Sequence, residues 1–160
     1  MQEKQRTLKQ SYTFSGKGLH TGLHVTMSVS PAPENHGIKF QRTDLEGAPT
    51  LEALADYVTT TSRGTTLERG DMKISTIEHI LSALSGMGVD NALISIDAPE
   101  APILDGSSRL YAEAFSKDGL LEQNAQRYYY VVKEKIYYKD EKSGAEITIL
   151  PDDSFSVDLM

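Results

Sequence analysis

Ile74-Ser75-Thr76-Ile77-Glu78-His79-Ile80-Leu81-Ser82-Ala83-Leu84-Ser85-Gly86 is the stretch on which the fold turns. Ile77, Ile80, Leu81 and Leu84 recur at i, i+3, i+4 and i+7, which predicts a helix with one apolar stripe. Ser75 and Glu78 have the spacing of a capping box at its start, and Gly86 or Gly88 can end it. At about 100° per residue, Glu78 and His79 fall on the two flanks of the stripe. A carboxylate and an imidazole are thus presented side by side, early in the helix, on the face the core does not need.

Read from the residues alone, the pair has two meanings. In one, Glu78 caps the helix and His79 is a partly exposed helix histidine. In the other, His79 ligates a metal and Glu78 is the base that activates water. Spacing does not choose, because no second histidine follows four residues later as in an H-E-x-x-H helix.

Composition narrows the classes. With 39% hydrophobic and 24% charged residues in 160, the chain can build one good core or a domain and part of another. A net charge of -7 argues against a nucleic-acid surface. Cysteine is absent, so any metal ligands are His, Asp or Glu. The N-terminus is polar, and no run approaches the roughly 20 apolar residues of a membrane helix, so a cytoplasmic protein without an integral membrane segment is expected.

In chain order, 8–14 predicts a first strand. The loop Gly16-Lys17-Gly18-Leu19-His20-Thr21-Gly22 follows, and its glycines allow His20 to be aimed at a site. From His24 to Ser30, Val25, Met27 and Val29 alternate with His24, Thr26 and Ser28, a half-buried strand. A partner strand is expected over 37–41, a helical turn near 51–57, and a strand over 57–61 that continues through a kink at Gly64. Ala92, Ile94 and Ile96 mark a further strand. A second helix, capped by Asp105 or Ser107, carries Leu110, Tyr111, Ala114 and Phe115 as its stripe. The polar 120–127 region reads as a linker. Beyond it, strands are expected over 128–138, 145–150 and 154–160, with a charged turn ahead of Gly144. Without a helix these strands expose Tyr, Val and Ile, which implies the start of a second domain and a piece of a longer protein. The domains expected are 1–122, carrying the Glu-His helix, and 127–160.

The glycine loop 16–22, Arg63-Gly64-Thr65-Thr66-Leu67, the helix Ser75–Leu84 and Ala101-Pro102-Ile103-Leu104-Asp105-Gly106-Ser107 occur in one order. Together they resemble the zinc-dependent UDP-3-O-acyl-N-acetylglucosamine deacetylases of lipid A biosynthesis. The resemblance implies an α+β, two-layer domain of sheet plus helices, half of a β-α-α-β sandwich, followed by the first strands of a second, similar domain. It implies zinc as cofactor, His79 as a zinc ligand, Glu78 as the catalytic carboxylate, and His20 near the site in a supporting or second-metal role. The reaction implied is hydrolysis of the N-acetyl group of a nucleotide-sugar acyl substrate, UDP-3-O-(3-hydroxyacyl)-N-acetylglucosamine. The remaining ligands, a His and an Asp, and a general-acid histidine belong in that family to the second domain of the same chain. These 160 residues alone are therefore expected to bind zinc poorly and not to turn over. Some family members also carry a fused hydroxyacyl dehydratase domain. The alternative is a non-catalytic α+β module whose helix pair docks a partner.

Overall fold

The structure is a computed structural model that describes residues 3–159. The chain divides into two units, one ending at Arg127 and one beginning at Tyr128.

The first unit opens with β1 (Lys4–Leu8) and β2 (Tyr12–Lys17). The single strand expected over 8–14 is broken, because these strands serve different sheets: Leu8 ends β1, and the chain bends before β2. β3 (His24–Pro31) follows the alternation in the sequence, with Val25, Met27 and Val29 fully buried. β4 (Ile38–Arg42) does not pair with β3 as expected. Next come β5 (Thr50–Glu52), a 3-10 turn at Ala55–Tyr57, β6 (Val58–Thr60), β7 (Thr66–Arg69) and β8 (Met72–Ile74). β6 to β8 form an antiparallel sheet of three strands. The strand expected to run on through Gly64 is therefore a hairpin. Arg63 and Gly64, at φ 64° and 149°, reverse the chain there.

α1 (Glu78–Met87) leads to β9 (Ala92–Ile96), and α2 (Arg109–Asp118) to β10 (Leu120–Gln126). β9 inserts between β3 and β4, giving a five-stranded sheet of order β2-β3-β9-β4-β5 in which only β4 and β9 are parallel. The reason is burial. Ala92, Ile94 and Ile96 are all inaccessible, so the most apolar strand takes the centre. The 120–127 segment, expected as a linker, is strand β10, paired antiparallel with β1. Arg127 then ties its end to the Gly88 carbonyl at 2.6 Å and to Asp90 at 2.8 Å.

Both helices pack on the inner face of the large sheet, forming the second layer of an α+β fold. Ile80 and Leu84 of α1 share one apolar cluster with Met27, Phe40 and Ile94 of the sheet. Each such side chain contributes about 1.5–3 kcal/mol on full burial. Phe14 meets Tyr111 edge-on at 4.7 Å, and Tyr12 meets Phe115 at 5.2 Å. Leu110, expected in the α2 stripe, is exposed instead, because a narrow row centred on Tyr111 and Phe115 covers the sheet. Gly88 ends α1 in the left-handed conformation, φ 72°.

In the second unit, β11 (Ile136–Lys139) and β12 (Glu146–Ile149) form one antiparallel hairpin, and every residue of both is exposed. Gly144, at φ 73°, completes the charged turn between them. The expected strand over 128–138 exists only from Ile136. Among the described residues after 153 no strand forms, since no neighbouring strand offers its ladder to them; residue 160 lies outside the described range. No helix of the described residues is long and apolar enough to cross a membrane.

Candidate active site at the start of α1

The capping box is not made. Ser75 pairs instead with the 99–101 segment: its N–H donates to the Pro99 carbonyl at 2.9 Å, and its own carbonyl accepts from Ala101 N–H at 3.0 Å. Its hydroxyl also donates to Pro99 O at 3.3 Å. Thr76 then takes a left-handed conformation, φ 57°, unusual for a β-branched residue. The helix consequently starts at Glu78, with Ile77 in the cap position and no side chain bonding its first N–H groups.

Glu78 is thereby released from its backbone duty and turned outward. Its Oε2 accepts a hydrogen bond from Thr65 N–H at 2.9 Å, which ties it to the hairpin loop between β6 and β7. His79 Nε2 lies 3.9 Å from Glu78 Oε1, too far for a hydrogen bond. The His79 side chain is 27% exposed and that of Glu78 39%, so neither is spent on the core. Among the described residues the His79 ring makes no hydrogen bond, and its nitrogens stay open to a ligand.

His20 is brought to the same place by the glycine loop. Its Nε2 lies 2.8 Å from the Arg63 carbonyl, and a carbonyl can only accept, so this nitrogen carries the proton. Gly64 shows how close the groups come. A Cβ placed there would lie 3.5 Å from Glu78 Oε1, 3.6 Å from Thr76 Oγ1 and 3.8 Å from His20 Nε2. A cleft of about 120 Å³ opens beside them, with His20, Arg63, Gly64, Ser75 and Thr76 in its walls. His20 and Glu78, far apart in the chain, therefore meet around Gly64, and His79 stands next to Glu78. His24 is exposed elsewhere on β3, and the His36 ring bonds the Gly37 carbonyl, so neither histidine belongs to it.

One group was not singled out from the sequence. Glu100 is fully buried and accepts from His20 N–H at 3.0 Å, Thr21 N–H at 2.8 Å and the Thr76 hydroxyl at 2.9 Å. Burial by itself raises its pKa, but the hydrogen bonds from His20, Thr21 and Thr76 outweigh it and hold the carboxyl below its ordinary value. The available signal was its setting: a lone charge in the rigid run Ala98-Pro99-Glu100-Ala101-Pro102.

For a metal, the donor chemistry is right but incomplete. His79 offers an imidazole beside the Glu78 carboxylate. Among the described residues no three His, Asp or Glu side chains converge. A catalytic zinc site takes three protein ligands, more than the described residues bring together.

The sequence model of the family described as LpxC, UDP-3-O-acyl N-acetylglycosamine deacetylase, matches residues 5–160. A bifunctional enzyme LpxC/FabZ of Bacteroides thetaiotaomicron is 50% identical over 157 residues, covering 98% of this chain and 34% of that protein. A UDP-3-O-acyl-N-acetylglucosamine deacetylase of Shewanella woodyi is 45% identical over 155 residues, covering 96% of this chain and 50% of that protein. One from Myxococcus xanthus is 42% identical over 144 residues, 90% of this chain and 46% of that protein. The chain thus spans about a third to a half of the length of these relatives. A family match over residues 5–160, with relatives 45–50% identical over 96–98% of the chain, places the chain in the UDP-3-O-acyl N-acetylglycosamine deacetylase family.

Proposed function

We propose that this chain supplies part of the catalytic centre of a zinc-dependent deacetylase. The enzyme would hydrolyse the N-acetyl amide of UDP-3-O-(3-hydroxyacyl)-N-acetylglucosamine in lipid A biosynthesis, and a nucleotide-sugar substrate puts the reaction in the cytosol. The observation that carries the reading is Glu78 beside His79 at the open start of α1, with the carboxylate fixed by Thr65 rather than by the helix.

His79 would be one zinc ligand, and the others would come from a second domain of the same protein. When bound there, zinc supplies Lewis acidity toward water and the acetyl carbonyl. The residues of this chain would position the base and its neighbouring histidine. Thr65 N–H holds Glu78 Oε2 still, so Oε1 is the oxygen left to take the proton from water. The Arg63 carbonyl keeps the His20 Nε2 proton in place, leaving Nδ1 as the nitrogen that can accept. The departing amine needs a proton from a general acid, assigned by resemblance to a histidine of the second domain.

The test uses the full-length protein. Glu78→Ala should abolish most turnover of the nucleotide sugar while zinc content, measured by atomic absorption, stays stoichiometric. Loss of zinc together with activity would instead make Glu78 a ligand, and undiminished turnover would remove it from the mechanism.

A further inference from the structure

We infer that Glu100 is a positioning residue: its buried carboxylate clamps the His20 loop to Thr76, and so sets His20 against the start of α1. The inference rests on the proposed function only for its kinetic readout.

Three observations carry it. First, Glu100 has no solvent exposure, and none of the ion pairs among the described residues involves it. An unpaired buried carboxylate is costly, and it persists only where donors replace water. Those donors are His20 N–H, Thr21 N–H and the Thr76 hydroxyl, on two segments far apart in sequence. Secondly, the loop is built to reach the carboxylate. A Cβ at Gly18 would lie 2.4 Å from Glu100 Oε2 and 2.4 Å from Thr21 Oγ1, so only glycine allows the backbone this close. Thirdly, Thr76 holds φ 57° two residues before Glu78, and its hydroxyl bond to Glu100 is the contact that offsets this strain. One side chain thus sets both the pose of His20 and the turn from which Glu78 and His79 emerge. A purely cohesive role would need only burial, whereas here every donor belongs to a segment bordering the cleft.

Glutamine has the same shape but no charge, and its NH₂ removes one acceptor: His20 N–H must shift to the remaining oxygen while the Thr76 hydroxyl turns from donor to acceptor. In the full-length protein, Glu100→Gln is compared with wild type well below both melting temperatures. A fall in kcat of about 10–100-fold is expected, with KM within about twofold, since a displaced positioning shell costs chemistry rather than binding. Histidine side-chain NMR, with His20 assigned by His20→Asn, should show the His20 ring signals moved. His20 signals in their wild-type place overturn the inference, whether or not kcat or the melting temperature falls. If Glu100→Gln does not fold, Thr76→Val decides. It removes one donor and keeps the branched shape, and unmoved His20 signals there overturn the inference equally. Absence of deacetylation by the wild-type full-length protein would defeat the proposed function, while the His20 signals still decide on Glu100.

Discussion

The backbone N–H of Thr65 donates to Glu78 Oε2 at 2.9 Å. The bond joins a hairpin loop to the first residue of α1, and it decides which carboxylate oxygen is available. The loop reaches Glu78 because Gly64 adopts φ 149°, a conformation side-chain-bearing residues rarely take. Gly64→Ala should therefore strain the loop and loosen Glu78. The expected outcome is a cost of about 1–3 kcal/mol in denaturant unfolding, with a fall in turnover of the full-length enzyme. Wild-type stability in this variant would show that the loop accommodates a side chain.

Glu78→Ala in the full-length enzyme should lower kcat by about 10²–10⁴-fold, the range for losing a positioned base. Because Glu78 contacts Thr65 and not the core, the melting temperature should barely move. Thermal unfolding and steady-state kinetics on the same preparation check both halves.

Glu100 makes stability depend on pH with a defined sign. Its folded-state pKa lies below the ordinary carboxyl value of 4.5. Between those two values the unfolded chain holds the proton and the folded chain does not, so stability rises with pH. The contribution is complete above the ordinary value and is lost as pH falls through the folded one. Urea midpoints measured from about pH 6 to about pH 3 should fall less steeply in Glu100→Gln than in wild type. Parallel slopes would mean that Glu100 titrates normally.

Phe115 is fully buried and meets Tyr12 and Phe14 edge-on, at 5.2 and 6.0 Å. Phe115→Ala should cost about 3–5 kcal/mol by leaving a cavity between α2 and the sheet. Equilibrium denaturation measures this directly.

Zinc should bind these 160 residues weakly, since no three His, Asp or Glu side chains converge among the described residues. A mild chelator should strip it from this chain and not from the full-length protein. Retention by this chain through dialysis would show that its own residues complete the cage.

Local pattern was enough for the elements whose partners matter little. The period of Ile77, Ile80 and Leu84 marks α1 wherever the helix packs, and the alternation of Val25, Met27 and Val29 marks β3 whatever strand lies beside it. Side-chain chemistry likewise made Glu78, His79 and His20 candidates before any coordinates, and in the structure His20 and Glu78 meet around Gly64 with His79 next to Glu78. Only tertiary structure decided the rest. Polar 120–127 is a strand because β1 offers it a ladder from the other end of the unit. Ser75 is no cap because the 99–101 segment claims its backbone. Glu100 matters because folding strips its water and leaves it the donors of two distant segments. Periodicity is a property of neighbours along the chain. Hydrogen-bond partnership at long range belongs to whichever groups burial has left without solvent, and that is settled only when the whole unit closes.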